Sequence, residues 1–210
     1  MEELLPKTGY RTRIENAVKH DPSHPLNNGV KMQAHHLVSA KGVQLASLGN
    51  DLKQLGYDIN VLENLVLLPY TLQAACHMRV QVHRGDHKDS DKEHPFTYHE
   101  RVKRELAVLK KTIDDCKGCT NAALAESNRK RLQAEVNQKS KKMLVLIEKN
   151  RIKLSRISKD FDEGEPGCMG RRALGDKPLH TCPYDRNHND DASAGFKTAL
   201  STHYALKVGR

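Results

Sequence analysis

The pattern of apolar and polar residues in the first third of the chain predicts two short strands around a helix. Lys31 to Val38 is typical of a strand, and the apolar run Leu65 to Leu68, stopped by Pro69, predicts a second, buried strand. Between them, leucines recur at helical spacing up to Gly56, a residue type that often ends helices. We therefore expect one helix over Lys41 to Leu55.

The rest of the chain has mainly helical periodicity. One stripe of apolar residues predicts a helix from Phe96 to Asp115, and apolar spacings of three, four and seven predict a long helical region from Asn121 to Lys159. Polar gaps at Lys139 and Asn150 argue against a regular coiled coil and favour a helical hairpin packed on the preceding helix.

The C-terminal part changes in composition. Residues 162 to 191 are rich in Gly, Pro, Cys, His and Asp, which predicts loops, and an amphipathic helix is expected over residues 192 to 206. The pattern indicates a predominantly helical α+β protein. We divide it into a lead-in segment (1–30), a core (31–115) and a basic helical and Cys-containing extension (116–210).

The charge of the chain favours a polyanionic partner. The chain has 210 residues, a net charge of +9 and a pI near 9.3. From residue 99 to 160, 17 Lys or Arg stand against 8 Asp or Glu, which suits phosphates because each contact releases counterions. Three lysines, the basic cluster, are candidate nucleic-acid contacts: Lys139, Lys141 and Lys142.

Aromatic and long apolar segments are scarce. The chain has no Trp and only 3 Phe and 6 Tyr, so recognition of single strands by base stacking is not expected. No stretch approaches the roughly 20 apolar residues of a membrane span, and the N-terminus lacks a secretory signal's order of basic and apolar residues. We expect no membrane partner and no signal peptide.

Histidines dominate the candidate chemistry. His35 and His36 are adjacent, and His83, His87 and His94 follow downstream. Neutral imidazole binds divalent metals, and a pKa near neutrality lets histidine accept a proton from water. Both functions are needed to hydrolyse a phosphodiester with one metal ion.

Five segments follow one another between Gln33 and Leu106. They are Ala34-His35-His36, Gly56-Tyr57-Asp58-Ile59-Asn60 leading to Glu63-Asn64, Leu68-Pro69, Val82-His83, and His94 four residues before Tyr98. This ordered set resembles the AHH nucleases of the HNH/endonuclease VII superfamily, as found in bacterial polymorphic toxins. The resemblance implies a ββα-metal (His-Me finger) core, here with a helical hairpin and a loop-rich C-terminal extension.

Roles can be assigned to these residues. His36 is the candidate general base, and Asn64 is expected to hold it in one tautomer. His35, His83 and His94 are the candidate ligands of one divalent ion, Mg, Mn, Ni or Zn. Adjacent strand residues point to opposite sides, so His35 and His36 take different roles, in an order that the sequence leaves reversible.

The segment Arg84 to Glu93 departs from the family pattern. Family members usually place the two later histidines close together, whereas this segment separates them and contains His87. We favour His94 as the third ligand because the residues up to Tyr98 fit the start of a helix. His87 is the alternative ligand.

Cysteines predict a staple for the C-terminal part. Four of them, the four-cysteine set, fall at the turn after the first long helix and in the loop-rich stretch: Cys116, Cys119, Cys168 and Cys182. Cys116 and Cys119 have the two-residue spacing of a zinc site. One structural zinc ion, a disulfide and free thiols all remain open, and Cys76 is expected to be simply buried.

Two functions follow. The first is a metal-dependent endonuclease, with DNA favoured over RNA, that acts as an antibacterial toxin or effector domain. The resemblance then implies a cognate immunity protein, a delivery or carrier protein, synthesis in a bacterial cytoplasm, and delivery by a secretion system into the target cell's cytoplasm. The alternative is a catalytically silent, zinc-stabilised nucleic-acid-binding or adaptor module.

Overall fold

A short antiparallel sheet lies at the centre of the molecule. The structure of the protein, a computed structural model, describes residues 9–90, 92, 94–118, 121–155 and 204–210. Strand β1 (Met32–His36) pairs with β2 (Leu65–Pro69), with His35 opposite Val66 and His36 opposite Leu65. Both predicted strands are present, and every residue of β2 is buried, as its unbroken apolar run predicts.

Helices surround this sheet. In chain order they are α1 (Tyr10–Val18), α2 (Ala40–Leu45), α3 (Gly49–Gln54), α4 (Leu72–Met78), α5 (Tyr98–Ala107), α6 (Lys110–Lys117) and α7 (Ala122–Glu148). Short 3-10 turns lie at Pro25–Asn28 and Leu62–Asn64. The predicted class, predominantly helical α+β with a small sheet, is confirmed. Within the described residues, no helix is long and apolar enough to cross a membrane.

The single helix expected over Lys41 to Leu55 is wrong, because the structure has two helices there. Ser39 caps α2 by accepting a hydrogen bond from Gly42 N (3.1 Å). The chain then turns at Ser47, whose φ of 58° is left-handed, before α3 begins. The leucine spacing persists across the turn, so periodicity alone does not show the break.

Close packing of α2 on α5 fixes the helix that starts beside the histidines. A Cβ at Gly42 would lie 2.4 Å from Cγ1 of Val102, so only glycine allows this approach. The start of α5 is held by a capping box, in which Thr97 and Glu100 exchange hydrogen bonds. Tyr98, wholly buried, donates from its hydroxyl to the carbonyl of Leu37 (2.7 Å).

A helical hairpin is formed by α5 and α6 on one side and α7 on the other. Contacts run in opposite directions along the two arms: Thr112 donates to Glu135 (2.9 Å), and Lys142 pairs with Glu105 (2.7 Å). The two arms of the hairpin therefore correspond to the two predicted helical regions, Phe96 to Asp115 and Asn121 to Lys159. The prediction of a hairpin within Asn121 to Lys159 alone is wrong. That region is one helix up to Glu148, followed by bends to residue 155.

The two ends of the described chain both contact the sheet. Helix α1, in the predicted lead-in segment, packs against β1 and β2. Residues 204–210 lie along the free edge of β2, where Gly209 N donates to Leu65 O and Leu67 N donates to Arg210 O (both 2.7 Å). The helix predicted over residues 192 to 206 lies mostly outside the described residues, and 204–206 are not helical. The loop-rich stretch of 162 to 191 also lies outside them.

Candidate metal centre and general base

Three separate segments bring histidines together at the end of β1. Strand β1 ends with His35 and His36. After α4 the chain returns along β2, where His83 N donates to Pro69 O (2.8 Å). The polar loop that follows carries His87 and leads into α5.

The rings of His35, His83 and His87 form a compact group, the histidine cluster. Their ring centroids lie 4.8 to 5.1 Å apart, and one nitrogen of each ring lies within 4.8 Å of those of the other two. In the part of the chain that the structure describes, this is the group of side chains that could hold a metal ion.

Hydrogen bonds orient two rings of the histidine cluster. His83 Nδ1 lies 2.9 Å from Oε1 of Gln33, and His87 Nδ1 lies 2.7 Å from the carbonyl oxygen of Leu154. Because both partners are acceptors, each Nδ1 carries the proton and each Nε2 keeps a lone pair. This is the tautomer in which imidazole binds a metal through Nε2.

Burial keeps the histidine cluster uncharged. It lowers the pKa of His35 well below the usual value, with added repulsion from His83 and His87, and lowers the pKa of His83 to about 3. The pKa of His87 is also lowered by burial. Three neutral imidazoles at pH 7 are metal ligands rather than cations.

An unpaired nitrogen supports a metal at this place. Nδ1 of His35 lies 2.9 Å from Nε2 of His83, while its own Nε2 is buried and has no hydrogen-bond partner among the described residues. Buried polar atoms are rarely left unpaired unless a water, an ion or a function accounts for them. The donor set and this orphaned atom together fit a metal ion.

His94 lies outside the histidine cluster. Its Nε2 is 3.0 Å from the carbonyl oxygen of Asn150, just beyond the end of α7. The structure thus groups His87, the alternative ligand from the sequence, with His35 and His83.

His36 has partners of its own, separate from those of His35. Its Nε2 lies 2.9 Å from Oδ1 of Asn60, so Nε2 carries the proton and Nδ1 keeps the lone pair. Burial lowers the pKa of His36, although the hydrogen bond to Asn60 and the charge of Asp58 oppose that shift. His36 is therefore neutral at pH 7 and able to accept a proton at Nδ1.

Helix α1 contributes to the surroundings of His36. The ring of Tyr10 lies 4.5 Å from that of His36, centroid to centroid. Nη1 of Arg13 donates to the carbonyl of Asn60 (2.6 Å) and to the carboxylate of Asp58 (2.9 Å). The loop that carries Asn60 is thereby tied to α1.

Asn64 lies just before β2, and among the described residues no hydrogen bond joins its side chain to His36. Its side chain is wholly buried and accepts from Val38 N (2.6 Å) and the hydroxyl of Ser140 (2.8 Å). It also donates to the carbonyls of Val38 (3.0 Å) and Ile59 (2.8 Å). Asn64 thus ties the chain after β1 to the loop before β2 and to α7.

The basic cluster is not uniform. Lys141 and Lys142 are exposed, Lys139 is half-buried, and Nζ of Lys142 pairs with the buried carboxylate of Glu105 (2.7 Å). Glu105 also pairs with Arg101 (2.9 Å). The ion pair of Lys142 with Glu105 therefore joins α7 to α5.

Most of the four-cysteine set lies outside the described residues. Cys119, Cys168 and Cys182 are not among them, while Cys116 is buried at the end of α6. Cys76 is wholly buried in α4. The zinc or disulfide staple stays a prediction.

Sequence analysis did not identify all of the contacts in the site. Gln33 lies two residues before His35, and side chains two residues apart in a strand lie on the same face. This alternation could have predicted that Gln33 lies beside the histidines. Asn60 belongs to the matching segment that starts at Gly56, although the sequence favours Asn64 for the contact with His36. The carbonyl of Leu154 has no side-chain signal at all.

A known nuclease family matches the chain. No curated protein and no solved structure matches the chain. Residues 16–138, more than half of the chain, match a nuclease family of the HNH/ENDO VII superfamily with conserved AHH, the motif present here as Ala34-His35-His36. The chain belongs to this AHH nuclease family.

Proposed function

We propose that this chain hydrolyses phosphodiester bonds of nucleic acid with one divalent metal ion and His36 as the general base. The observation that carries the proposal is the arrangement at the end of β1. His35, one of three clustered neutral histidines, directly precedes His36 in β1, and the tautomer of His36 is fixed by another residue. The family membership supports the same reaction class.

His36 performs the proton transfer in this proposal. Its Nε2 proton is held by Asn60, so Nδ1 takes the proton from the attacking water. Asn60, and not Asn64, is then the residue that fixes the tautomer. Asn64 supports the loop through its four hydrogen bonds to Val38, Ile59 and Ser140.

His35, His83 and His87 are the proposed ligands. Imidazole nitrogens without a carboxylate suit Zn or Ni better than Mg, which prefers oxygen ligands. Among Mg, Mn, Ni and Zn, the donor set thus favours Ni or Zn. When bound, such an ion acts as a Lewis acid that stabilises charge developing on the phosphate.

DNA is the favoured substrate. The excess of basic residues suits a phosphate backbone, and the few aromatic residues give little surface for stacking unpaired bases. Within the basic cluster, Lys139 and Lys141 are the proposed phosphate contacts, since Lys142 is paired with Glu105.

The biological role is proposed from the resemblance to polymorphic toxin nucleases. The chain would act as an antibacterial effector, delivered by a carrier protein and a secretion system into a target cell. A cell that makes such a nuclease needs a cognate immunity protein to block the site.

Cleavage assays test the proposed function. Metal-free protein is incubated with supercoiled plasmid and with RNA in Mg, Mn, Ni or Zn. We expect cleavage that needs metal, and a loss of 10²–10⁴-fold in His36→Ala, the usual effect of removing a general base. His20→Ala, an exposed histidine before the sheet, is the matched control and should cleave normally.

Two results would decide against this function. Binding of plasmid without cleavage under any metal would favour the silent adaptor module. Full cleavage by a folded His36→Ala protein would remove the assignment of the base.

A further inference from the structure

The loop that carries His87 has a backbone conformation that depends on contacts with other parts of the chain. The backbone of His87 has φ 58°, a left-handed conformation that is uncommon for residues other than glycine. Gly85, two residues earlier, is also left-handed, with φ 80°. Residues in such conformations persist when surrounding contacts impose them, and they concentrate at functional sites.

One support for the loop comes from α5 and α2. Nε2 of His99 donates to the carbonyl of Asp86 (3.1 Å), the residue before His87. Nδ1 of His99 lies 2.9 Å from the hydroxyl of Ser39, the residue that caps α2. This side of the loop is therefore fixed to the helices that pack through Gly42.

The second support comes from beyond the part of the chain that matches the family. The family match ends at residue 138, whereas the carbonyl that accepts from His87 Nδ1 belongs to Leu154. Leu154 lies in the bends after α7 and its side chain is wholly buried. The same segment accepts from His94 through the carbonyl of Asn150.

Gln81 fixes this segment. Its side-chain amide donates to the carbonyls of Ile147 (2.7 Å) and Ile152 (2.8 Å), and its side-chain oxygen accepts from Leu154 N (3.2 Å). Only 1% of Gln81 is exposed, so water does not replace these bonds readily. One buried side chain thus determines where the Leu154 carbonyl lies.

We propose that Gln81 and the segment 147–154 are positioning elements for the metal centre, acting through the hydrogen bond from His87 to Leu154. They do not touch the metal themselves. This inference rests on the proposed function, in which His87 is a ligand. It adds that the segment after α7, outside the family match, completes the site of this chain.

Metal affinity tests the proposal without any need for cleavage. Co²⁺ binding to the full chain is followed by its visible absorption, in Gln81→Leu, in Leu154→Ala and in wild type. Loss of a residue that orients a metal-binding histidine typically weakens binding 10- to 100-fold, and that loss is expected for both variants. Leu154→Ala removes the buried side chain that packs the same segment, so it provides a second test if Gln81→Leu does not fold.

A double-mutant cycle shows whether the effect passes through His87. If it does, adding Gln81→Leu or Leu154→Ala to His87→Ala should change the remaining Co²⁺ affinity little. Leu132→Ala, at a buried position in the first half of α7 and away from the segment 147–154, is the matched control for lost packing. It should lower the melting temperature and leave Co²⁺ affinity near wild type.

Each outcome has one meaning. Unchanged affinity in the folded variants, a loss that persists in His87→Ala, or an equal loss in Leu132→Ala would overturn the proposal. Absence of Co²⁺ binding by the wild type would instead overturn the proposed function on which it rests.

Discussion

Replacing Asn60 should lower activity, whereas replacing Asn64 should lower stability. Asn60→Ala removes the oxygen that accepts from His36 Nε2 and leaves the backbone bonds of residue 60 to Asp58 and Arg13 in place. A neutral hydrogen bond is worth about 0.5–1.5 kcal/mol, and about 1.4 kcal/mol is a factor of ten in rate. We expect cleavage to fall about two- to tenfold with little change in stability.

Asn64→Ala should instead reduce stability. The side chain makes four buried hydrogen bonds, to Val38 N, Val38 O, Ile59 O and Ser140. At roughly 1 kcal/mol for each bond, the free energy of unfolding should fall by about 4 kcal/mol. The fraction that remains folded should cleave at a rate closer to wild type than Asn60→Ala does.

Single-turnover cleavage with enzyme in excess, corrected for the folded fraction from urea unfolding, separates these effects. Asn60→Asp keeps an acceptor for His36 Nε2 and should recover most of the rate. Its added charge should also raise the pKa of His36, so the acidic limb of the pH profile, where protonation of the base stops cleavage, should move to higher pH. Full activity in folded Asn60→Ala, or an Asn64→Ala protein of normal stability and little activity, would refute the assignment of the two asparagines.

Three further predictions concern the rest of the molecule. Burial, with repulsion from Arg210, lowers the pKa of His24 to about 4, so neutral His24 favours folding above pH 6.5 and this contribution is lost as the pH falls towards 4. The free energy of unfolding, measured with urea, should fall between pH 7 and pH 4.5 by about 2–3 kcal/mol less in His24→Gln than in wild type. An equal fall in both proteins would refute this prediction. Charge reversal of Lys139 and Lys141 should weaken DNA binding and reduce its salt dependence. Charge reversal of Lys142 should mainly destabilise the hairpin, because Lys142 pairs with Glu105. An unchanged salt dependence for Lys139 and Lys141 would show that they do not contact phosphates. The four-cysteine set should hold one zinc ion or a disulfide, and metal analysis with thiol counting should show Cys116→Ser to lose it; four freely titrating thiols without metal would contradict both.

Local patterns were sufficient for both strands and for α7, but they did not predict α1 or α4 and did not show the breaks between α2 and α3 or between α5 and α6. The continuous apolar run of β2 has one stable place, buried on both faces, so its bounds could be predicted closely. The polar gap near Lys139 was misleading for a specific reason. Ser140 fills the apolar stripe of α7 there, because its hydroxyl donates to the buried Asn64. A contact between residues so distant in sequence leaves no periodic signal.

The candidate site was predictable where it depends on neighbouring residues in sequence. Strand alternation separates the roles of the adjacent His35 and His36, whereas His83 was indicated only by the ordered motifs. The choice between His87 and His94 depends on a left-handed backbone and on the carbonyl of Leu154, a backbone atom that any residue would provide. The amino-acid sequence therefore gives little basis for choosing between His87 and His94.

The central claim is that His35, His83 and His87 hold the ion used for cleavage. The most direct test returns a divalent metal in small steps to metal-free protein and measures plasmid cleavage in wild type, His87→Ala and His94→Ala. One ion per chain should restore cleavage in wild type and in His94→Ala, but not in His87→Ala. Cleavage without metal, or loss in folded His94→Ala with normal cleavage in His87→Ala, would contradict it.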